Sequence, residues 1–281
     1  MKKIWIIARM TFREAIRRRI VLTGLVLGGL FLVVFSIGFR LIYVHALEAQ
    51  PGQPMSNMVQ AEVTNFLLLA GLYAVTFLSV AMGALLGADT LAGEISSGTI
   101  QTIVTKPVRR SDVVLGKWLG FAGLLALYSV LMSGGSVLSV ALQSGYVAPN
   151  LPQGLLLIYL EALLVMTISL SCSSAMPALA TGGVVFGLYG LAFIGGWIEQ
   201  FGSLLHNQTA IQVGIITSLI IPSEALWRRA SYEMQTPLAG ALGMSPFGTV
   251  SVPSVLMIAY ALVYLVAVLA LAISTFKRRD L

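Results

Sequence analysis

Charge is what this sequence has least of. Only 10% of its 281 residues are Asp, Glu, Lys or Arg, and 57% are hydrophobic, whereas an average soluble domain carries about 25% charge. An ordinary water-soluble enzyme is excluded on that ground. Cysteine is reduced to Cys172, so no intramolecular disulfide can form, and a lone thiol in an apolar run reads as a small packed side chain. Histidine occurs at His45 and His206 only, with no His-Glu-x-x-His pair to hold a catalytic zinc. Aspartyl chemistry inside a membrane needs two aspartates, and Asp89 stands alone among the apolar stretches. No Gly-x-x-x-x-Gly-Lys-Ser/Thr sequence is present, so no loop of this kind cradles a nucleotide phosphate. No cofactor is expected in this chain. The same scarcity of charge within the apolar stretches argues against a proton-driven carrier, whose relay needs ionisable groups at membrane depth.

The charges that do occur fall in clusters. Between them lie charge-free stretches at 20–39, 63–88, 118–160, 162–198 and 234–276, each reaching or exceeding the roughly 20 residues that cross a bilayer as a helix. The expected fold is therefore an all-α membrane protein with six transmembrane helices, over about 20–42, 66–88, 113–143, 155–176, 180–198 and 255–276. Residues 1–19 place Ile4, Ile7, Ala8, Phe12, Ala15 and Ile16 at helical spacing, with Lys2, Lys3, Arg9, Arg13 and Arg17 mainly on other faces. That pattern predicts an amphipathic helix lying at the interface. No small-residue cleavage site follows the first apolar run, so this leader is expected to be retained.

Proline and glycine set the breaks. Pro149 and Pro152, with Gly145, separate the third and fourth spans, and Pro177 with Gly182 and Gly183 predicts a short turn before the fifth. Glu161 falls about two turns into the fourth span and is expected near its outer interface, where a charge costs less than at mid-bilayer. The run Ile211–Ile221 is too short to cross roughly 30 Å at about 1.5 Å per residue. It is expected to be interfacial or re-entrant within an extracytoplasmic segment, 199–254.

Lysine and arginine fix the orientation. With six spans and a cytoplasmic N-terminus, fourteen Lys/Arg fall inside, while Arg40, Arg228 and Arg229 fall outside, a strong positive-inside bias. Both termini are expected in the cytoplasm. The net charge of +6 therefore serves membrane orientation, and nucleic-acid binding is not expected. Four Gly-x-x-x-Gly pairs occur, at 24/28, 83/87, 116/120 and 183/187; roughly three arise by chance at this glycine content, so the motif carries little weight here.

Polarity is concentrated at 89–112, between the second and third spans. Gly93 and Gly98 loosen the backbone, Pro107 breaks it, and Thr99–Val104 lies between the breaks as one or two helical turns. Ser111 and Asp112 are placed to cap the third span. Such a segment is either a docking element for a soluble partner or a solvated loop with capping residues. The order Asp-x-x-x-Gly-Glu-x-x-x-Gly-Thr, then Pro-Val-x-Arg, then Val-x-x-Gly-Lys occurs here as Asp89, Gly93, Glu94, Gly98, Thr99, Pro107, Val108, Arg110, Val113, Gly116 and Lys117. It resembles the permease subunits of type-2 ABC exporters, most nearly their multicopper-enzyme-maturation branch. Six spans, a basic leader and the stretch Pro222-Ser223-Glu224-x-x-x-Arg228 extend the likeness more loosely over nearly the whole chain.

The resemblance implies a plasma-membrane permease that forms a dimer with a second copy or a paralogue. It also implies a separate cytoplasmic ABC ATPase that binds the ATP and Mg. Residues 89–112 then form the coupling segment, with Glu94 and Thr99 touching the ATPase and Pro107 and Arg110 shaping the return to the third span. Two alternatives stay open: a membrane subunit that works on an extracytoplasmic protein, and a structural membrane protein with no ATPase.

Overall fold

The computed structural model describes residues 2–48, 57–90, 92–93, 109–236 and 251–278. Among them the main elements are helices, in chain order: α1 Lys2–Ile16, α2 Arg19–Glu48, α3 Asn57–Ala88, α4 Arg110–Ser144, α5 Leu151–Ser173, α6 Ala178–Leu204, α7 Gln208–Ile220, α8 Ser223–Met234 and α9 Val255–Arg278. No strand occurs among the described residues. Six of the helices, α2, α3, α4, α5, α6 and α9, are long and apolar enough to cross a membrane, as the charge-free stretches predict.

Local sequence explains the corners. α4 ends where Gly145 takes a left-handed conformation (φ 68°) and its N–H bonds the carbonyl of Ala141, the usual use of glycine beyond a helix C-terminus. Pro152 lies at the start of α5, a position where its missing N–H costs nothing. Pro177, extended at ψ 156°, precedes α6. Asn207 caps α7 by accepting from the N–H of Ala210 at 3.2 Å. Pro222 then turns the chain by 108° into α8, because it cannot donate the next helical bond.

α5 lies at the centre of the bundle, packed against α3, α4, α6, α8 and α9, while α2 and α9 are the most peripheral of the six. Small residues let backbones approach. A Cβ on Gly83 would sit 2.8 Å from the carbonyl oxygen of Ala162, and one on Gly87 would sit 2.8 Å from that of Met166. Ser169 closes the α3–α5 contact by donating to the carbonyl of Ala84 at 2.6 Å, an interhelical bond suited to an apolar surrounding. α1 packs on the first turns of α4 in the same way, with Gly116 against Ile7 and Gly120 against Ala8 and Thr11. Its Ala8, Thr11 and Ala15 are buried, whereas Trp5, Ile6, Met10 and Ile16 remain exposed.

Several expectations are corrected. The helices run past the apolar stretches: α3 begins nine residues before the expected 66, because its polar first turns find partners inside the protein. Asn65 Nδ2 donates at 2.9 Å both to the Tyr146 hydroxyl and to the carbonyl of Met234, and Thr236 Oγ1 donates to Glu62 at 2.5 Å. Gly182 and Gly183 lie within α6 and mark no turn. Ser111 and Asp112 lie in the first turn of α4, whose N-cap is Arg109 without a side-chain bond; Asp112 there favours the positive end of the helix dipole. The Gly-x-x-x-Gly pairs at 83/87 and 116/120 are tight packing positions, against the small weight that chance gave them, while Gly183 and Gly187 face open space. Glu161 is not interfacial: it is the eleventh of the 23 residues of α5 and fully buried.

Candidate functional site

The residues singled out at 89–117 gather at one end of the bundle as far as they are described. Asp89, just past α3, lies 3.4 Å from Arg18 Nη1 at the α1–α2 corner, and Arg18 Nη2 also pairs with Glu14 at 2.9 Å. The N–H of Gly93 donates to the carbonyl of Asp89 at 3.1 Å, and a Cβ on Gly93 would stand 2.7 Å from the Asp89 carboxylate. Arg110 opens α4 and donates to the carbonyl of Lys277 at 3.2 Å, which ties it to the end of α9. Lys117 is buried one to two turns further on, beside the Gly116 contact with α1. Thus α1, the end of α3, the start of α4 and the end of α9 converge where the chain leaves and re-enters the bundle. Glu94, Gly98, Thr99 and Pro107 lie outside the described residues.

The opposite end holds a feature that the sequence reading missed. α9, at about 1.5 Å per residue over 24 residues, spans about 36 Å between the Arg110 contact and the region of Ser251. There Glu199 of α6 and Arg228 of α8 form an ion pair, with Nη1–Oε1 at 2.5 Å and a hydrogen bond from Nη2 to Oε2 at 2.9 Å. Arg228 Nη2 also donates to Ser218 Oγ at 3.2 Å, and Ser251 Oγ donates to Glu199 Oε1 at 2.7 Å. Both charges are nearly sealed from solvent, Glu199 at 4% and Arg228 at 3% exposure. Both ions are desolvated, so their mutual attraction is set against a large loss of hydration, and removing one partner would strand the other.

Beside it, Tyr73 of α3 donates from its hydroxyl to Glu224 Oε1 at 3.5 Å and accepts from Trp197 Nε1 at 3.2 Å. The Tyr73 ring lies 4.9 Å from that of Trp227 and 6.3 Å from that of Phe193. A Cβ on Gly196 would collide with Glu224, and one on Gly195 with Thr217, so these glycines seat the α7–α8 hairpin on α6. Nearby, between α4 and α5, burial raises the Tyr146 hydroxyl pKa, opposed by the hydrogen bond from Asn65 and supported by Glu62. The expected scarcity of internal charge is therefore corrected: Glu161, Glu199, Glu224 and Arg228 are all buried. One signal was available in the sequence, the i,i+4 spacing of Glu224 and Arg228 behind Pro222, which places opposite charges on one helical face. Among the described residues no group of three or more His, Cys, Asp or Glu is arranged to hold a metal.

Comparison with known proteins fits this architecture. Residues 5–281 match the model of a family described as ABC-2 family transporter protein. Over 143 residues the chain is 30% identical to a Pseudomonas aeruginosa protein named "Probable ABC transporter permease protein NosY", covering 50% of this chain and 46% of that protein. A protein of the same name from Stutzerimonas stutzeri is 29% identical over 142 residues, 50% of this chain and 47% of its own. The match spans about half the length of each of these relatives. With six long apolar helices and a family match over nearly its whole length, this multi-pass membrane protein belongs to the ABC-2 transporter family.

Proposed function

We propose that the chain is the transmembrane permease subunit of an ATP-driven exporter, coupled through 89–112 to a separate cytoplasmic ATPase that carries ATP and Mg. The observation that carries this reading is the convergence of α1, α3, α4 and α9 around the two ends of that segment, held by Arg18–Asp89 and Arg110–Lys277. A push on the segment is thereby delivered to four helices together, and packed helices transmit displacement as rigid bodies. The permease works as a dimer, with itself or a paralogue, on two ATPase copies. In this reading its two termini and 89–112 face the cytoplasm, which the fourteen-to-three distribution of Lys and Arg supports.

Glu94→Ala tests the coupling. In the complex reconstituted into vesicles, this variant is expected to insert normally and to lose the stimulation of ATP hydrolysis that accompanies transport. Unchanged stimulation, or the failure of any ATPase to co-purify in mild detergent, rejects the reading.

A second reading has the same motion act on an extracytoplasmic protein. It is favoured by the α6–α7 tip, where His206, Asn207, Gln208 and Thr209 form an exposed polar edge on the seated hairpin. Cross-linking from Gln208→Cys to a discrete extracytoplasmic protein is the expected result; no adduct rejects it.

A further inference from the structure

The buried cluster has more acid than it can balance. Among the described residues, Glu161, Glu199 and Glu224 contribute three buried carboxyl groups, and the Arg228 guanidinium meets two of them, Glu199 and Glu224. Both Nη atoms of Arg228 are committed to Glu199. Glu161 is wholly buried near the middle of α5, and among the described residues neither of its oxygens has a hydrogen-bond partner. Its electrostatic neighbours are Glu224 of α8, Tyr73 of α3 and Tyr189 of α6. Glu224 Oε2 and Ser223 Oγ are likewise buried without a partner among the described residues. An ionised carboxylate in an apolar interior is costly unless a cation meets it. Ionisable groups kept at such a cost inside a membrane bundle mark ion or substrate routes.

The surrounding rings give an independent sign of charge preference. Tyr73, Trp227, Phe193 and Trp197 form a continuous run of contacts at 4.9–6.4 Å between centroids. Aromatic faces attract cations through their quadrupole, most strongly where water is excluded. Buried carboxyls beside aromatic faces select an organic cation over an anion or a neutral molecule.

We propose that Glu161 and Glu224, with the rings of Tyr73 and Trp227, bind the ammonium group of an organic cation that the permease carries. This names the substrate class and rests on the export reading for the word substrate; the binding itself does not depend on it. Access comes by displacement of α8, a twelve-residue helix on the far side of the Pro222 bend, from α5.

The test uses the full chain purified in mild detergent and titrated with benzyltrimethylammonium, read by tryptophan fluorescence and calorimetry. Neopentylbenzene, the uncharged isostere, is the control. Saturable binding of the cation alone is expected, weakened about tenfold or more in Glu161→Gln and unchanged in Glu62→Gln. If Glu161→Gln folds poorly, Trp227→Leu is expected to show a weaker loss in the same direction. Equal binding of the neutral isostere, full affinity in Glu161→Gln, or no saturation at all, as when the carboxyls hold protons only, overturns the proposal. Absence of cation binding by the unmodified protein with Glu94-dependent coupling intact rejects the inference alone. Lost coupling with cation binding intact rejects the export reading alone.

Discussion

Arg228 illustrates how much rests on single side chains in this molecule. It joins α8 to α6 through Glu199 and to α7 through Ser218, so one guanidinium holds both arms of the hairpin. Removing one partner of a buried pair strands the other charge, at a cost of about 3–5 kcal/mol, whereas replacing both with apolar residues is often neutral. Arg228→Met is accordingly expected to lower stability in detergent by about that amount, and the double variant Arg228→Met with Glu199→Leu to recover most of it. Thermal unfolding of the purified protein measures both; a double variant no better than the single contradicts the assignment. Little of this was open to a reading of the sequence. A charge is cheapest at an interface, which is where spacing alone puts Glu161, but the cost of depth depends on neighbours that come from α3, α6 and α8. Glu199 closed one apolar stretch and Glu224 followed another, so neither announced that the two would meet across a hairpin.

Among the elements, α5 shows what spacing alone leaves open. The pairs 83/87 and 183/187 are the same motif in sequence, yet the first receives the α5 backbone and the second meets nothing within 4 Å in this chain. Gly87→Leu is expected to destabilise the fold by overpacking, by about 1–3 kcal/mol or more. Gly187→Leu leaves the stability of the single chain nearly unchanged. Equal melting shifts for the two contradict the packing described. The number and order of the spanning helices are legible, since a bilayer demands long charge-free stretches and this chain has few charges to place, whereas α8 is not. The helix ends are not either, because they are set by partners: Asn65 with Met234, Gln60 with Tyr43 at 2.5 Å, and Thr236 with Glu62. A polar turn with an internal partner continues a helix that hydropathy alone would stop.

For the molecule as a whole, two ends with different chemistry follow from this arrangement. One gathers α1, the chain entering and leaving 89–112, and the last turn of α9. The other seals an acid-rich cluster under a bent hairpin, about 36 Å away along α9. Asp89, Gly93, Arg110 and Lys117, among the residues that carry the resemblance, lie at the first end, and the family match over residues 5–281 bears out the resemblance itself. The second end had only the spacing of Glu224 and Arg228 to reveal it.

The account turns on which side of the membrane the 89–112 segment faces. Cysteine is readily controlled, because Cys172 is the sole native thiol: a Gln101→Cys reporter in a Cys172→Ala background, exposed to a membrane-impermeant maleimide, reads it directly. The account predicts no labelling in intact cells and full labelling in inverted membrane vesicles. Labelling of intact cells from outside would contradict it.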